Sequence, residues 1–119
     1  MPVTETPMDG EEATLLVLTN LPDRDSALAL ARALVQRRLA ACVNVLGACA
    51  SVYRWNGDIE EATEVPVLVK TRATRYAELE AAIRELHPYE LPEVIAVPIV
   101  RGLPEYLDWV AEETAIPIG

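Results

Sequence analysis

"AACVNVLGACASVYRWNGDIEEATEVPVLVKT" (residues 40–71) sets the architecture of this 119-residue chain. Asn56 and Gly57 stand between two arms rich in β-branched and apolar residues, which is the strongest short-range signal for a β-hairpin. Residues 41–55 in a fully extended strand would span roughly 50 Å, whereas a domain of this size measures about 35 Å across. We therefore expect a hairpin whose tip projects beyond the body of the domain, with Gly47 as the candidate position for a bend or bulge.

Two large aromatic residues lie near the predicted tip. Tyr53 and Trp55 are two positions apart, so they project from the same face of an extended strand. Aromatic side chains bury a large area when they pack. On a ribbon that projects from the domain, we expect another subunit to supply the surface that covers them.

Helix and strand patterns flank the hairpin on both sides. The resulting order, β-α-β-β-α-β followed by a C-terminal helix, is the split β-α-β or ferredoxin-like arrangement of α+β proteins. The flanking elements are a strand at 14–20, a helix at 23–38, a helix with Thr74 as N-cap that stops at His87-Pro88, a strand at 93–100 and a helix at 104–114. Apolar stripes predict the buried face of the first two helices: Ala27, Leu30, Ala31 and Leu34, then Tyr76, Leu79, Ile83 and Leu86.

The strands at 14–20 and 93–100 are apolar at both odd and even positions, which predicts burial of both faces. Helices cover only one face of a sheet of this kind, so the second face needs another cover. Like the projecting hairpin, this predicts a homo-oligomer that associates through the sheet and the hairpin. Pro98 cannot donate a hydrogen bond to a neighbouring strand, which places its strand at a sheet edge.

Composition restricts the possible partners. Ten basic and nineteen acidic residues give a net charge of −9, which argues against nucleic acid and against an anionic membrane surface. No apolar run approaches membrane-spanning length. We interpret residues 1–13 as a disordered acidic lead-in, residues 14–119 as a single domain, and the protein as cytoplasmic.

Candidate metal ligands are few. Cys42 and Cys49 are too far apart along a strand for a disulfide, and we expect both to be reduced and structural.

With His87 as the only histidine, a closed zinc site within one chain is excluded, but a site shared between subunits or a copper site with a cysteine stays open. The alternative for His87 is a positively charged helix C-cap, which we favour. For the acidic run Asp58–Glu64, charge that keeps the ribbon soluble is favoured over cation binding.

Five segments in the same order and spacing resemble the CutA family, the divalent-cation tolerance proteins. The resemblance extends over residues 14–114 and implies a homotrimer of ferredoxin-like subunits whose long hairpins reach across their neighbours. It also implies a role in tolerance of divalent metals, copper especially, with Cu²⁺ as the candidate cation and without an enzymatic reaction. The segments are "LAACVN" (39–44), "SVYRWNGDIEEATEV" (51–65), "LVKT" (68–71), "HPYELPEV" (87–94) and "YLDWV" (106–110).

The resemblance also suggests site residues. Some members are assigned copper ligands at a cysteine in the first strand and at two adjacent histidines, where this sequence has Thr19, Leu86 and His87. His87 is therefore the candidate metal ligand that this chain retains. The positions that match the inter-subunit cleft of the family are Tyr53, Trp55, Lys70, Tyr89, Glu90 and Glu93.

Two other functions compete with metal tolerance. A PII-like trimeric signalling module would bind a small-molecule effector between subunits, with Lys70 and Arg72 holding an anion. The tight Asn56-Gly57 turn disfavours this, because a long flexible loop would be expected there. An enzyme using His87, Tyr89 and Glu90 for acid–base chemistry ranks third, since no nucleophile can be assigned; we therefore predict that the protein is not an enzyme.

Overall fold

The computed structural model describes residues 13–116, which form five strands and three helices. The predicted lead-in falls outside these residues except for Ala13, which is buried and whose carbonyl accepts a hydrogen bond from Ala73 N. The elements are β1 (Thr14–Leu21), α1 (Arg24–Gln36), β2 (Cys42–Val45), β3 (Cys49–Trp55), β4 (Asp58–Arg72), α2 (Ala73–Leu86), β5 (Ile95–Pro98) and α3 (Pro104–Glu113).

The sheet is antiparallel and has the strand order β2-β4-β1-β5, with β3 paired to the outer part of β4. With β2 and β3 counted as one interrupted strand, this is the ferredoxin-like order, and the predicted α+β fold is confirmed. Pro98 is on β5 and lies opposite Leu15 of β1. Among the described strands, β5 pairs only with β1. The predicted edge position of Pro98 is therefore confirmed.

The hairpin turns at Asn56 and Gly57, as predicted. Both residues have positive φ, 51° and 85°, and Trp55 lies opposite Asp58, so the loop has two residues. Residues 52–61 are all exposed, and the molecule is 54 Å long but only 36 Å and 23 Å in its other dimensions. A projecting hairpin was expected from the arm length, and these dimensions agree with it.

The first arm of the hairpin is not one strand. It is interrupted at residues 46–48, so that β2 pairs with Val67–Lys70 and β3 with Asp58–Glu64. The interruption contains Gly47, the position at which a bend was expected. Cys42 and Cys49 therefore begin separate strands, and both thiols are free and half-buried.

The hydrophobic core lies between one face of the sheet and helices α1 and α2. The predicted stripe of α1 is confirmed, since all four of its residues are buried. Asp23 is the N-cap of α1, where its Oδ1 accepts a hydrogen bond from Ser26 N at 2.7 Å. Such a cap satisfies one of the amide groups that a helix start leaves without a partner.

The prediction for α2 is only partly right. Leu79 and Ile83 are buried, but Tyr76 is half-buried and Leu86 is exposed, and Arg75 is buried instead. Thr74 is not the N-cap, because β4 runs into α2 without a loop and the extended residue Arg72 takes that position. Arg75 Nη1 donates to Glu78 one turn further along the helix (3.1 Å). Its Nε donates to the carbonyl of Arg38 (3.3 Å), a long-range contact that a helical stripe does not reveal.

The second face of the sheet carries apolar side chains that the described chain leaves open. Val17 and Val69 belong to the core, so their neighbours in sequence on β1 and β4 point to the opposite face. On that face Leu16 lies opposite Val97, and Leu18 lies opposite Ile95. Every residue of β5 is exposed. Ala96 and Pro98 lie on the core-facing side, where the predicted burial is wrong. Burial of Ile95 and Val97 on the second face was predicted for an oligomer and stays a prediction.

Helix α3 covers part of this second face. Arg72, which follows Lys70 on the same side of β4, donates from Nε to Thr114 Oγ1 at 3.2 Å. Near the start of α3, burial and the adjacent thiol of Cys42 raise the pKa of Tyr106. The helix therefore lies over the β2–β4 side of the face and leaves β5 uncovered.

Thr19 provides a test of the core packing. Its side chain is 1% exposed, and its hydroxyl has no hydrogen-bond partner among residues 13–116. A buried hydroxyl without a partner is destabilising, so we expect Thr19→Val to raise the free energy of unfolding by about 1 kcal/mol in urea titrations. Val17→Thr, on the same face of β1, is the matched control and should lower it by about 1–3 kcal/mol. A marked loss of stability in Thr19→Val would contradict this interpretation.

Candidate ligand-binding cleft

An open cleft of about 730 Å³ lies where the hairpin meets the body of the domain. It is bounded by β3, the outer part of β4, the loop at residues 88–93 and Asn20 near the end of β1. Five of the six predicted cleft residues line it: Tyr53, Trp55, Tyr89, Glu90 and Glu93. These five residues meet within one chain, whereas the family resemblance implied a cleft between subunits.

The register of the hairpin determines which side chains face the cleft. Tyr53 lies opposite Glu60 on β4, so the two side chains share a face with Trp55. Glu64 is four positions further along β4 and therefore projects from that same face. From the sequence, the acidic run Asp58–Glu64 was interpreted as charge that keeps the ribbon soluble, so Glu60 and Glu64 were missed as cleft residues. Their even spacing along a strand is the signal that could have placed them on the face of Tyr53 and Trp55.

His87 holds in place, through hydrogen bonds, the loop at residues 88–93 that forms the other side of the cleft. Its side chain is buried, and its Nδ1 accepts a hydrogen bond from the backbone N–H of Tyr89 at 3.0 Å. The proton of the neutral ring must then be on Nε2, which donates to the carbonyl of Asn20 at 2.6 Å. The backbone N–H of His87 caps α2 by donating to Ile83. The cap position is confirmed, but the predicted positive charge is not, because Nδ1 acts as an acceptor.

These hydrogen bonds bear directly on His87 as a metal ligand. A ring nitrogen binds a metal through its lone pair, and in this conformation Nδ1 uses that lone pair for Tyr89 while Nε2 carries a proton. Binding would require the loss of a buried hydrogen bond. Among residues 13–116, no group of three or more His, Cys, Asp or Glu side chains is arranged to hold a metal ion. The retained histidine therefore positions a loop, and a metal role would need a rearrangement.

The cleft has a strongly acidic character. Glu60, Glu64, Glu90 and Glu93 all line it, and none of its lining residues within the described chain is basic. Burial and the nearby Glu64 carboxylate raise the pKa of Tyr89 above its ordinary value. The site is thus a pocket of negative potential with an aromatic lining.

Lys70 lies outside the cleft. It is on the second face of the sheet, opposite Leu16 and Cys42, and its Nζ donates to Asn44 Oδ1. Arg72 is bonded to Thr114. The basic pair that an anion-binding effector site would use is therefore not at the cleft of the single chain.

The fold and the cleft define a class: a small ferredoxin-like α+β protein with a long projecting hairpin and a ligand-sized acidic cleft at its base. The family model described as CutA1 divalent ion tolerance protein matches residues 15–113. The chain belongs to this family, which confirms the resemblance found in the sequence. No helix within residues 13–116 combines the length and apolar character needed to cross a membrane.

Relatives and solved structures agree with this assignment. The chain is 44% identical over 99 residues to the divalent-cation tolerance protein CutA of Thermus thermophilus, covering 83% of this chain and 96% of that protein. It is 44% identical over 93 residues to Protein CutA of Homo sapiens, covering 78% of this chain and 52% of the human protein. The crystal structure of CutA from Xylella fastidiosa superimposes with a TM-score of 0.83 at 46% identity, covering 85% of this chain and 97% of that one.

The loop contacts of His87 give a direct test. His87→Ala removes both side-chain hydrogen bonds and leaves Asn20 O and Tyr89 N without partners, so we expect a loss of about 2 kcal/mol in urea titrations. His87→Asn is the matched variant, because an asparagine side chain can accept from the N–H two residues on. Its loss should be smaller. The free energy of unfolding of the wild type should be the same with and without a chelator. A lower free energy of unfolding in the presence of chelator would instead indicate a resident metal.

Proposed function

We propose that the protein is a non-enzymatic homotrimer that serves in tolerance of or response to divalent metal ions, copper in particular, and that its cleft is the ligand-binding site. The main support for the proposed trimer is the open second face of the sheet. Ile95 and Val97 are 50% and 45% exposed there, next to Leu16 and Leu18. Exposed apolar patches of this kind mark association surfaces.

The hairpin supports the same assembly. Tyr53 and Trp55 remain 41% and 44% exposed, and Val52 and Ile59 are more exposed still. A two-stranded ribbon by itself is marginally stable in water. Contacts with neighbouring subunits would stabilise the projecting part and would enclose the cleft.

The chemistry of the cleft favours binding over catalysis. Among the described residues that line the cleft, Ser51 is the only aliphatic side chain with a hydroxyl, and its Oγ lies 3.8 Å from Cys49 Sγ. The one histidine of the chain is engaged at the loop and cannot act as its base in this conformation. Carboxylates remain, which can attract a cation such as Cu²⁺ without an arranged set of soft ligands.

A PII-like effector-binding module is the second candidate. The size of the cleft supports it, because small-molecule sites commonly occupy about 300–1,000 Å³. The acidic lining disfavours the anionic effector considered from the sequence. Cytoplasmic location stays a prediction from the sequence.

Assembly is tested by light scattering coupled to gel filtration. We expect a mass of three times the 13.1 kDa chain for the wild type and a smaller species for Val97→Glu, because a charge would be buried on the second face. Leu86→Glu, on α2 and similarly exposed at 38%, should remain a trimer. A folded wild-type monomer at micromolar concentration would contradict the proposed assembly.

The metal role is tested in bacteria that lack their own protein of this family. Expression of this chain should restore growth in elevated copper, and the Val97→Glu variant should not if the trimer is the active form. If the Val97→Glu variant is a monomer and still restores growth, the function does not require the trimer. Failure of the wild type to restore growth at equal expression would count against the metal role.

A further inference from the structure

We infer that the cleft binds a small organic cation, with an ammonium or guanidinium group held against the aromatic side chains and neutralised by the surrounding glutamates. This inference rests on the proposal that the cleft is a ligand site, but not on the trimer or on copper. The lining residues named here belong to one chain, so ligand binding and assembly can be measured by separate readouts on the same samples.

The aromatic lining is the first support. Tyr53 and Trp55 project side by side from β3, and Tyr89 faces them from the loop that His87 fastens. In the single chain, Tyr53 and Trp55 are about two-fifths exposed, and both line the cleft, so the part of each ring that faces the cleft is the part that a ligand would contact. Tryptophan and tyrosine faces attract cations through the ring quadrupole and are the usual walls of sites for quaternary ammonium groups.

The charge of the lining is the second support. The ion pairs within residues 13–116 join Arg37 to Glu85, Arg38 to Glu113 and Arg75 to Glu78. The four cleft glutamates take part in none of them. Glu93 Oε1 accepts a hydrogen bond from Asn20 Nδ2 at 3.0 Å, which orients it without neutralising it. A cationic ligand would supply the missing counter-charge.

The shape of the site distinguishes an organic cation from a bare metal ion. No three carboxylates, thiols or imidazoles in the described chain converge on one point, although inner-sphere binding of a divalent ion requires such convergence. The cleft, at about 730 Å³, is far larger than a single ion. Aromatic walls add little to the binding of a strongly hydrated metal, but they bind a weakly hydrated organic cation well.

The experiment is an NMR titration with tetramethylammonium chloride at constant ionic strength. The chain has two tryptophans, and the second, Trp109, stacks on Tyr106 of α3 and is not in the cleft lining. We expect a saturable shift of the Trp55 indole N–H and none at Trp109. Tert-butanol, which is nearly the same shape without charge, should not shift Trp55, and Mg²⁺ should bind more weakly than tetramethylammonium.

Two variants distinguish binding in the cleft from non-specific attraction of a cation to an acidic protein. Glu64→Gln removes one lining carboxylate and should raise the Kd for tetramethylammonium about three- to five-fold. Glu61→Gln removes the same charge from the opposite face of β4 and should leave the Kd unchanged. Equal effects of the two substitutions would overturn the inference, as would the absence of a saturable shift at Trp55 or equal binding of tert-butanol.

The same cationic group could instead belong to a lysine or arginine side chain of a neighbouring copy. In that case tetramethylammonium would bind the Val97→Glu form but not the assembled wild type, and this outcome would also overturn the inference. Light scattering on the same samples reports assembly separately. A protein that binds tetramethylammonium as predicted but does not trimerise would contradict the proposed assembly and leave the assignment of the cleft supported.

Discussion

The pairing of β4 is the interaction on which the rest of the structure depends. Its inner part, Val65–Arg72, is hydrogen-bonded to β1 on one side and largely to β2 on the other, and every second residue is buried against the helices. Its outer part, Asp58–Glu64, pairs with β3 alone within the described chain. One continuous strand is thus the centre of a stable sheet at one end and half of a projecting ribbon at the other.

The cleft and the association surface both follow from this strand. The outer part of β4 places Glu60 and Glu64 beside the aromatic residues of β3, and its junction with the body lies next to the loop that His87 fastens. The inner part contributes Leu68, which lies opposite Leu18, to the second face of the sheet. Side chains alternate strictly between the two faces of a strand. The register between β3 and β4 therefore determines which side chains line the cleft and which lie on the opposite side of the ribbon.

The sequence predicted the features that local chemistry controls. Asn56-Gly57 predicted the turn, Asp23 the start of α1 and Pro98 a sheet edge, because each depends on the backbone preferences of a few neighbouring residues. The five cleft residues found together came from the family resemblance. Thr74 was wrong as the N-cap because β4 runs directly into α2, and the positive charge expected on His87 is not supported because its Nδ1 accepts a hydrogen bond from Tyr89 N. Both depend on local backbone geometry that residue types alone do not specify. The burial of Arg75 depends instead on a long-range contact, the carbonyl of Arg38.

We propose that subunit contacts stabilise the outer part of β4 from outside its own chain. Amide hydrogen exchange along β4 in the native protein tests it most directly, because exchange reports the stability of each hydrogen bond. Subunit contacts predict that residues 58–64 are protected to within about ten-fold of residues 65–72, although in the single chain they pair with one strand only. Rapid exchange at residues 58–64, as in an isolated hairpin, beside slow exchange at residues 65–72 would contradict the claim.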